Sequence, residues 1–218
     1  MGERPRYVVV EGPIGVGKTT LARLFVKELG GRVVLERTKE NPFLERFYED
    51  RSKYAFQTQL FFLLERFQQQ REIHQHDLFQ QNIFSDYLFA RDKIFASVNL
   101  DPNELSLYFR LFAMLSPRVL RPDLVVYLQA TPEVLLERIH KRNNPYERPI
   151  DLAYLSELTQ AYNRFFFTFE DTPLLVVNTK NLDFVERASD FANLVIEIEK
   201  TTEGTRYLTI GKGVSPFF

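Results

Sequence analysis

The sequence contains no cysteine, so it can form neither disulfide bonds nor thiolate metal sites. This absence fits a protein of a reducing compartment. No apolar run approaches the length that crosses a membrane, and the polar segment Met1 to Arg6 leaves no room for the apolar stretch of a signal peptide. We therefore expect a cytoplasmic protein that has no membrane partner.

An excess of charge of either sign is also missing. The chain has 28 basic and 29 acidic residues, for a formal net charge of -1. Because no global positive field is available to collect a polyanion, we expect no nucleic-acid polymer as a partner. No internal repeat or Gly/Ser-rich linker divides the 218 residues, so we expect one domain over residues 1–218.

Five short apolar runs rich in β-branched residues predict strands. They are Tyr7 to Glu11, Arg32 to Glu36, Asn82 to Asp86, Leu124 to Gln129 and Leu174 to Asn178. Longer segments with helical periodicity lie between them, such as the apolar stripe from Phe56 to Phe67. This alternation favours an α/β fold with a five-stranded parallel sheet and helices on both faces. The tail from Thr201 to Phe218 predicts neither a helix nor a clear strand.

The first predicted strand leads into a segment that fits the phosphate-binding pattern G-x-x-x-x-G-K-[ST], and a helical run from Thr20 to Leu29 follows. In such a loop, backbone N–H groups wrap phosphate oxygens, Lys18 reaches the β and γ phosphates, and Thr19 ligates Mg²⁺. The pattern predicts a P-loop that binds ATP or GTP, and the misplaced lysine of Asn178-Thr179-Lys180 weakens a GTPase interpretation. The predicted ATP-binding residues are Gly12, Pro13, Ile14, Gly15, Val16, Gly17, Lys18, Thr19 and Thr20.

A phosphate-binding loop does not reveal which molecule receives the phosphate. Further segments, taken in order, make the sequence resemble the deoxynucleoside kinase family, which includes deoxyadenosine, deoxyguanosine and deoxycytidine kinases. They are Val34-Leu35-Glu36, Tyr48-Glu49, Phe56 with Gln59 and Arg66, Ser85-Asp86-Tyr87, Asp92-Lys93 and Tyr127 to Pro132. The resemblance covers about Tyr7 to Phe169. It implies ATP-dependent phosphorylation of a deoxynucleoside 5′-hydroxyl for nucleotide salvage, with Mg²⁺ as cofactor; together with the Phe-rich helices it favours a homodimer.

The resemblance makes Glu36 the carboxylate that takes the proton from the attacking 5′-hydroxyl. Glu36 ends the second predicted strand, and ligands bind at the carboxyl edge of a parallel sheet. A carboxylate within hydrogen-bond reach there would orient the nucleophile. The alternative is a strand-end charge in solvent. The predicted catalytic residues are Glu36, Lys18, Arg138 and Arg142.

Three residues match positions that read the base in the family. Gln59 corresponds to an amide, while Arg66 and Asp92 correspond to a charged pair on the other side of the base. An amide can pair with adenine, arginine can donate to guanine, and a carboxylate can accept from exocyclic amines. We therefore expect a preference for purine deoxynucleosides, with deoxycytidine possible and thymidine poor. The alternative is that Arg66 and Asp92 form an ordinary surface ion pair.

Three more residues have counterparts in the family. Tyr48 and Glu147 correspond to partners of the sugar 3′-hydroxyl, and Asp86 corresponds to the acid that binds Mg²⁺, usually through water. Taken alone, Tyr48 also fits a half-buried aromatic, and Glu147 also fits a solvated acid. Asp86 is equally natural as a helix N-cap.

Arg138 and Arg142 lie four residues apart and share one face of a predicted helix. In the family this segment, about residues 132–150, is a lid whose arginines close over the phosphates. The alternative is a solvated basic face. The sequence departs from the family at Tyr87, where an arginine is frequent, and at Asn144, where a third lid arginine is frequent.

Two other functions remain open. A nucleoside monophosphate kinase of the thymidylate type shares the loop and the arginine lid, but it needs cations around the acceptor phosphate, which Glu36 would repel. A non-enzymatic, ATP-dependent regulatory module would bind ATP without transferring phosphate.

Overall fold

A computed structural model of the protein describes residues 6–76 and 82–209. Nearly all of the polar start and residues 210–218 of the tail lie outside these ranges. Within them, no helix combines the length and the apolarity that crossing a membrane requires.

The described residues form six strands and eight α-helices. The strands are β1 (Tyr7–Glu11), β2 (Arg32–Val34), β3 (Ile83–Ser85), β4 (Leu124–Gln129), β5 (Leu174–Asn178) and β6 (Thr205–Thr209). The helices are α1 (Lys18–Leu29), α2 (Leu44–Glu49), α3 (Arg51–His76), α4 (Asp92–Asn99), α5 (Pro102–Leu115), α6 (Pro132–Arg142), α7 (Leu152–Phe167) and α8 (Ala188–Lys200).

The strands make one parallel sheet in the order β2-β3-β1-β4-β5-β6. Along β1, Val8 and Val10 pack on the side of α1 and α8, while Tyr7 and Val9 pack on the side of α3, α4 and α7. This alternation buries both faces of the sheet, which explains the continuous apolar runs of its central strands. The predicted α/β class, with helices on both faces, is confirmed.

The sheet has one strand more than the five that the sequence predicts. β6 lies within the unassigned tail and pairs in parallel with β5 at the edge of the sheet. Four of its five residues are exposed and only Leu208 is partly buried. An edge strand needs no apolar run on two faces, so Thr205 and Arg206 give no strand signal. Gly204, with φ of 59°, provides the left-handed turn into it.

The second and third strands end earlier than predicted, at Val34 and Ser85. A hydrogen bond joins the segments that follow these two strands: the backbone N–H of Glu36 donates to the carboxylate of Asp86 at 2.8 Å. Glu36 therefore lies two residues beyond its strand and Asp86 directly after β3. Because β2, β3 and β1 are neighbours, both acids lie at the carboxyl edge of the sheet beside the loop that follows β1.

Candidate active site

The glycine-rich segment after β1 forms a close turn into α1. Its glycines adopt backbone conformations that side chains disfavour, with φ of 150° at Gly12, 85° at Gly15 and 109° at Gly17. A Cβ at Gly12 would lie 2.5 Å from the carbonyl oxygen of Leu128, and one at Gly15 would lie 2.9 Å from a side-chain carbon of Ile139. Only glycine therefore lets this loop approach β4 and α6 so closely.

Lys18, the first residue of α1, turns back over the loop. Its Nζ donates hydrogen bonds to the carbonyl oxygens of Gly12 at 2.7 Å and Pro13 at 3.0 Å. Burial, and then the positive charge of Arg91, lower the pKa of Lys18 to about 8, against the opposing effect of nearby carboxylates such as Glu11. The lysine is therefore charged at neutral pH and loses its charge just above it.

We expect the affinity for ATP to fall as the pH rises through about 8, because the folded-state pKa of Lys18 is lowered and its charge is lost above that value. Titration calorimetry between about pH 7 and about pH 9.5, at constant ionic strength, should show Kd rising by up to about tenfold per pH unit. Lys18→Arg keeps a charge that does not titrate in this range and should remove the slope. A wild-type Kd independent of pH would contradict the role of Lys18.

Asp86 lies next to Thr19 at the mouth of the loop. The Thr19 hydroxyl donates to Oδ2 of Asp86, whose side chain is buried. Burial raises the pKa of Asp86. The alternative of a helix cap is wrong, since the next helical turn, Phe89–Arg91, has Leu88 at its N-cap position. In residues 6–76 and 82–209, no cluster of three His, Cys, Asp or Glu side chains suits a metal. The Thr19 and Asp86 oxygens still fit Mg²⁺, which takes few protein ligands when it bridges phosphates.

Glu36 is held by two arginines. Nε of Arg66 donates to Oε1 at 2.8 Å and Nη2 of Arg66 donates to the same oxygen, while Nη2 of Arg91 lies 3.3 Å from Oε2. Only 11% of the Glu36 side chain is exposed, so the alternative of a solvated strand-end charge is wrong. Burial alone would raise the pKa of Glu36, but Arg66 and then Arg91 lower it to about 2. Glu36 is therefore an ionised acceptor at neutral pH.

A cavity of about 410 Å³ opens between Glu36 and the loop. It brings together residues that the sequence separates by more than a hundred positions. The predicted residues that line it are Ile14, Gly15, Lys18, Thr19, Glu36, Tyr48, Gln59, Arg66, Asp86, Arg142 and Glu147. Phe62 and Phe95 add aromatic walls. The cavity has the size and the mixed polarity of a site for a small organic ligand.

Gln59 and Arg66 lie on the same side of α3, as their spacing predicts, and both are almost completely buried. Asp92, the first residue of α4, is fully buried and forms an ion pair with Nη1 of Arg66. The alternative of a surface ion pair is wrong. Arg66 instead bridges Glu36 and Asp92, so the structure places Asp92 behind Arg66 rather than on the wall of the cavity.

Arg142 and Glu147, predicted to contact different parts of the substrates, contact each other. Nη2 of Arg142 donates to Oε1 of Glu147 at 2.7 Å, and Nε donates to Oε2 at 3.1 Å. Glu147 is therefore paired and not simply solvated. Tyr48 lies partly buried beside them, which agrees with the alternative of a half-buried aromatic residue. It also lines the cavity. Burial raises the pKa of Tyr48, and Tyr154 and Glu147 raise it further.

Arg138, one helical turn before Arg142, contacts the other side of the loop. Its Nη1 donates to the carbonyl oxygen of Val16 at 3.1 Å and to the hydroxyl of Thr179 at 3.3 Å. With Phe184 it lines a smaller cavity of about 250 Å³. The alternative of a solvated basic face is therefore wrong for Arg138, although half of the Arg142 side chain is exposed.

Two buried charges in the site were missed by the sequence reasoning. Glu11 accepts hydrogen bonds from the backbone N–H groups of Gly12 and Leu88 and from the Tyr162 hydroxyl. Nη1 of Arg91 lies 4.0 Å from Oε1 of Glu11, and Nη2 of the same guanidinium lies 3.3 Å from Oε2 of Glu36. One signal was available: Glu11 is a lone charge at the end of an apolar strand, directly before the loop. Arg91 gives no comparable signal.

Comparisons with known proteins identify a phosphotransferase that acts on a hydroxyl group. A family model described as deoxynucleoside kinase matches residues 8–203, and the chain belongs to that family. A deoxyguanosine kinase of Bacillus subtilis (strain 168) is 31% identical over 199 residues, which cover 89% of this chain and 96% of that protein. A deoxyadenosine kinase of Dictyostelium discoideum is 38% identical over 162 residues, which cover 73% of this chain and 66% of the relative.

Solved structures agree with the sequence relatives. The structure of deoxyadenosine kinase from M. mycoides with bound dATP superposes with a TM-score of 0.78 at 26% identity, covering 88% of this chain and 99% of that one. A second structure of that kinase, with the products dCMP and dCDP, gives a TM-score of 0.79 at 26% identity, covering 89% and 99%. The fold is therefore shared with a deoxyadenosine kinase over 88–89% of this chain.

Proposed function

We propose that this protein transfers the γ-phosphate of ATP to the 5′-hydroxyl of a deoxynucleoside, with purine deoxynucleosides preferred, for nucleotide salvage. The observation that carries the proposal is the ionised carboxylate of Glu36 in a cavity that Lys18 and the phosphate loop also line. An acceptor hydroxyl in that cavity would lie between a carboxylate and a triphosphate. Family membership supports the same reaction.

The two oxygens of Glu36 are held differently. Oε1 accepts two hydrogen bonds from Arg66, whereas Oε2 has a single contact of 3.3 Å with Arg91. We therefore assign Oε2 as the oxygen that accepts the hydrogen bond of the 5′-hydroxyl. A pKa of about 2 makes Glu36 a weak base in this state. Phosphoryl transfer passes through a loose transition state in which positioning and charge neutralisation matter more than base strength.

The donor side follows from the loop. Residues Gly12 to Thr20 would hold the phosphates, with Lys18 neutralising charge at the β and γ phosphates. Thr19 and Asp86 would hold Mg²⁺, directly or through water, since their oxygens already lie together. When bound, the ion neutralises the charge on the phosphates. Lys18 would exchange its bonds to the Gly12 and Pro13 carbonyls for bonds to phosphate oxygens.

Segment 132–150 would act as the lid. Arg142 and Glu147 pair with each other and both line the acceptor cavity. We propose that substrates separate them: Arg142 moves onto the phosphates, and Glu147, with Tyr48, binds the 3′-hydroxyl of the sugar. Arg138 already contacts the phosphate loop through Val16. Cations brought to the transferred phosphate in this way stabilise the charge that builds during transfer.

Purine preference is supported by two polar side chains that line the cavity and by the relatives. Gln59 and Arg66 offer an amide and a guanidinium that suit adenine or guanine. Asp92 acts by holding Arg66 in place, because it is fully buried behind it. The relatives include deoxyguanosine and deoxyadenosine kinases, and one is a deoxyadenosine/deoxycytidine kinase of Bacillus subtilis, 30% identical over 201 residues.

Replacing Arg66 and Asp92 together with alanine is expected to lower overall activity and to shift the preference towards thymidine. The ratio of kcat/KM for thymidine to that for deoxyguanosine should rise by about tenfold or more, since each well-placed polar pair is worth about 1–3 kcal/mol of discrimination. The double change leaves neither Arg66 nor Asp92 buried without its partner, while Glu36 keeps Arg91 as its counter-charge. Lys27 and Glu28, an exposed pair on α1, provide the matched double-alanine control. An unchanged ranking of acceptors would remove Arg66 from base recognition.

The function is tested by incubating the protein with ATP, Mg²⁺ and, separately, each deoxynucleoside and each nucleoside monophosphate, with the products identified by mass. We expect 5′-monophosphates from deoxyadenosine or deoxyguanosine. Diphosphates formed only from monophosphates would favour a monophosphate kinase. ATP binding without transfer to any acceptor would favour a regulatory module.

We also propose that the protein works in the cytoplasm as a homodimer. At the end of α7, Phe165 and Phe166 pack inward while Phe167 is 89% exposed, an apolar side chain that a second copy would cover. Light scattering should give twice the mass of 25.7 kDa at working concentration. A monomer there would contradict the dimer.

A further inference from the structure

Arg91 is a buried cation at the centre of the site. It ends the short helical turn Phe89–Arg91 that follows Asp86, is 5% exposed, and lines the acceptor cavity. Its guanidinium lies between two carboxylates, 3.3 Å from Glu36 and 4.0 Å from Glu11. The ring of Phe95 lies 4.9 Å from it on one side, so the side chain is fixed by packing as well as by charge.

The residue directly after Asp86 cannot supply this cation. Tyr87 is completely buried, belongs to the same apolar cluster as Tyr7 and Ile73, and does not line the cavity. The chain therefore passes through the core at position 87 and returns to the cavity only at the end of the following turn. Arg91 is the first basic side chain after Asp86.

Glu11 connects Arg91 to the phosphate loop. Its Oε1 accepts the N–H of Gly12, the first residue of the loop, at 2.8 Å and the Tyr162 hydroxyl at 3.0 Å. Its Oε2 accepts the N–H of Leu88 at 2.6 Å. A carboxylate fixed by three donors is a rigid anchor. One continuous set of contacts therefore runs from the start of the loop, through Glu11 and Arg91, to Glu36.

We propose that Arg91 is a positioning residue that sets the Oε2 oxygen of Glu36 relative to the phosphate loop and thereby aligns the acceptor hydroxyl with the phosphate of ATP. The inference rests on the proposed function and deepens it. A planar guanidinium can span two carboxylates at once, which a lysine ammonium does less well. Nε and Nη1 of Arg91 are buried without a hydrogen bond in the described part of the chain, so the two carboxylates and the packing against Phe95 hold the group.

The test compares Arg91→Met and Arg91→Lys with the wild type, using ATP and the deoxynucleoside that the wild type phosphorylates best. For Arg91→Met we expect kcat to fall by about 100-fold, while Kd for ATP and KM for the acceptor change by less than about threefold. Arg91→Lys should recover about tenfold of that loss, since lysine keeps the positive charge but lacks the planar guanidinium that spans two carboxylates. Arg110→Met, an exposed arginine on α5, is the matched control and should behave like the wild type.

A pH profile separates positioning from a purely structural role. Glu36 faces Arg66 from α3, Lys18 from α1, and Asp86 and Arg91 from the chain after β3. Removing Arg91 leaves Glu36 with less positive charge, so the acid limb of kcat/KM should move to higher pH in Arg91→Met and not in Arg91→Lys. The inference would be overturned if Arg91→Met lost ATP affinity and kcat by the same factor and the acid limb of its kcat/KM profile did not move.

Arg91→Met leaves Glu11 without its cation, and the variant can fail to fold. Arg91→Met combined with Glu11→Gln removes both charges, and its kcat is then compared with that of Glu11→Gln alone. The inference is overturned if kcat differs by less than about threefold between Arg91→Met and the wild type, or between the double variant and Glu11→Gln. A difference in kcat near about 100-fold supports it. A wild type that phosphorylates no deoxynucleoside removes the proposed function and the inference together. An active wild type with an unaffected Arg91→Met removes the inference alone.

Discussion

Glu36→Gln should lower kcat by about 100-fold or more and leave the affinity for ATP within about threefold of the wild type. Glutamine keeps the shape of the side chain but cannot accept the proton of the 5′-hydroxyl as a carboxylate does. It also removes the negative charge that holds Arg66 and Arg91, so the orientation of both arginines loosens. The loss should therefore appear in kcat for every deoxynucleoside and not only for one base.

Steady-state kinetics and calorimetry with ATP separate these effects, and a thermal melt checks the fold, since two buried arginines lose their counter-charge. Glu65→Gln is the matched control: Glu65 lies next to Arg66 in sequence, but it forms an ion pair with the partly exposed Arg37. Normal turnover of Glu36→Gln would exclude Glu36 from the mechanism.

Lys18→Ala should lose both ATP binding and turnover, with kcat/KM lower by about 1000-fold or more. Lys18 is the cation that the loop itself holds, through the carbonyls of Gly12 and Pro13, and no other basic side chain among the described residues makes those contacts. Without it, the loop has only backbone N–H groups to offset the charge on the β and γ phosphates, in addition to Mg²⁺ and the lid arginines.

Calorimetry with ATP and an assay with a deoxynucleoside test this prediction together. Lys27→Ala, on the same helix with a side chain 75% exposed, is the control and should match the wild type in both. The role of Lys18 would be refuted by an alanine variant that binds ATP within about threefold of the wild type.

The central strands and the loop were predictable because their signals are local. β1, β4 and β5 have the bounds that the apolar runs predict, since strands buried on both faces must be apolar throughout. The loop is a contiguous motif, and each of its glycines occupies a position where a side chain would be sterically disfavoured. β6 was not predictable, because pairing at the edge with β5 defines it rather than its own sequence.

The members of the site were predictable, but their arrangement was not. Resemblance to the family selected Glu36, Arg66 and Asp92, yet the sequence does not show that Arg66 joins the other two in one buried bridge. The contribution of Arg91 depends on a three-residue turn after β3, and that of Glu11 on contacts with distant α7. Such contacts arise only when the chain is packed, so spacing along the sequence does not reveal them.

A crystal structure with a bound purine deoxynucleoside would test the central claim most directly. We expect an oxygen of the Glu36 carboxylate to lie about 2.6–3.2 Å from the 5′-oxygen of the sugar, with that oxygen facing the phosphate loop. The claim would be contradicted if the carboxylate pointed away from the sugar and another side chain contacted the 5′-oxygen.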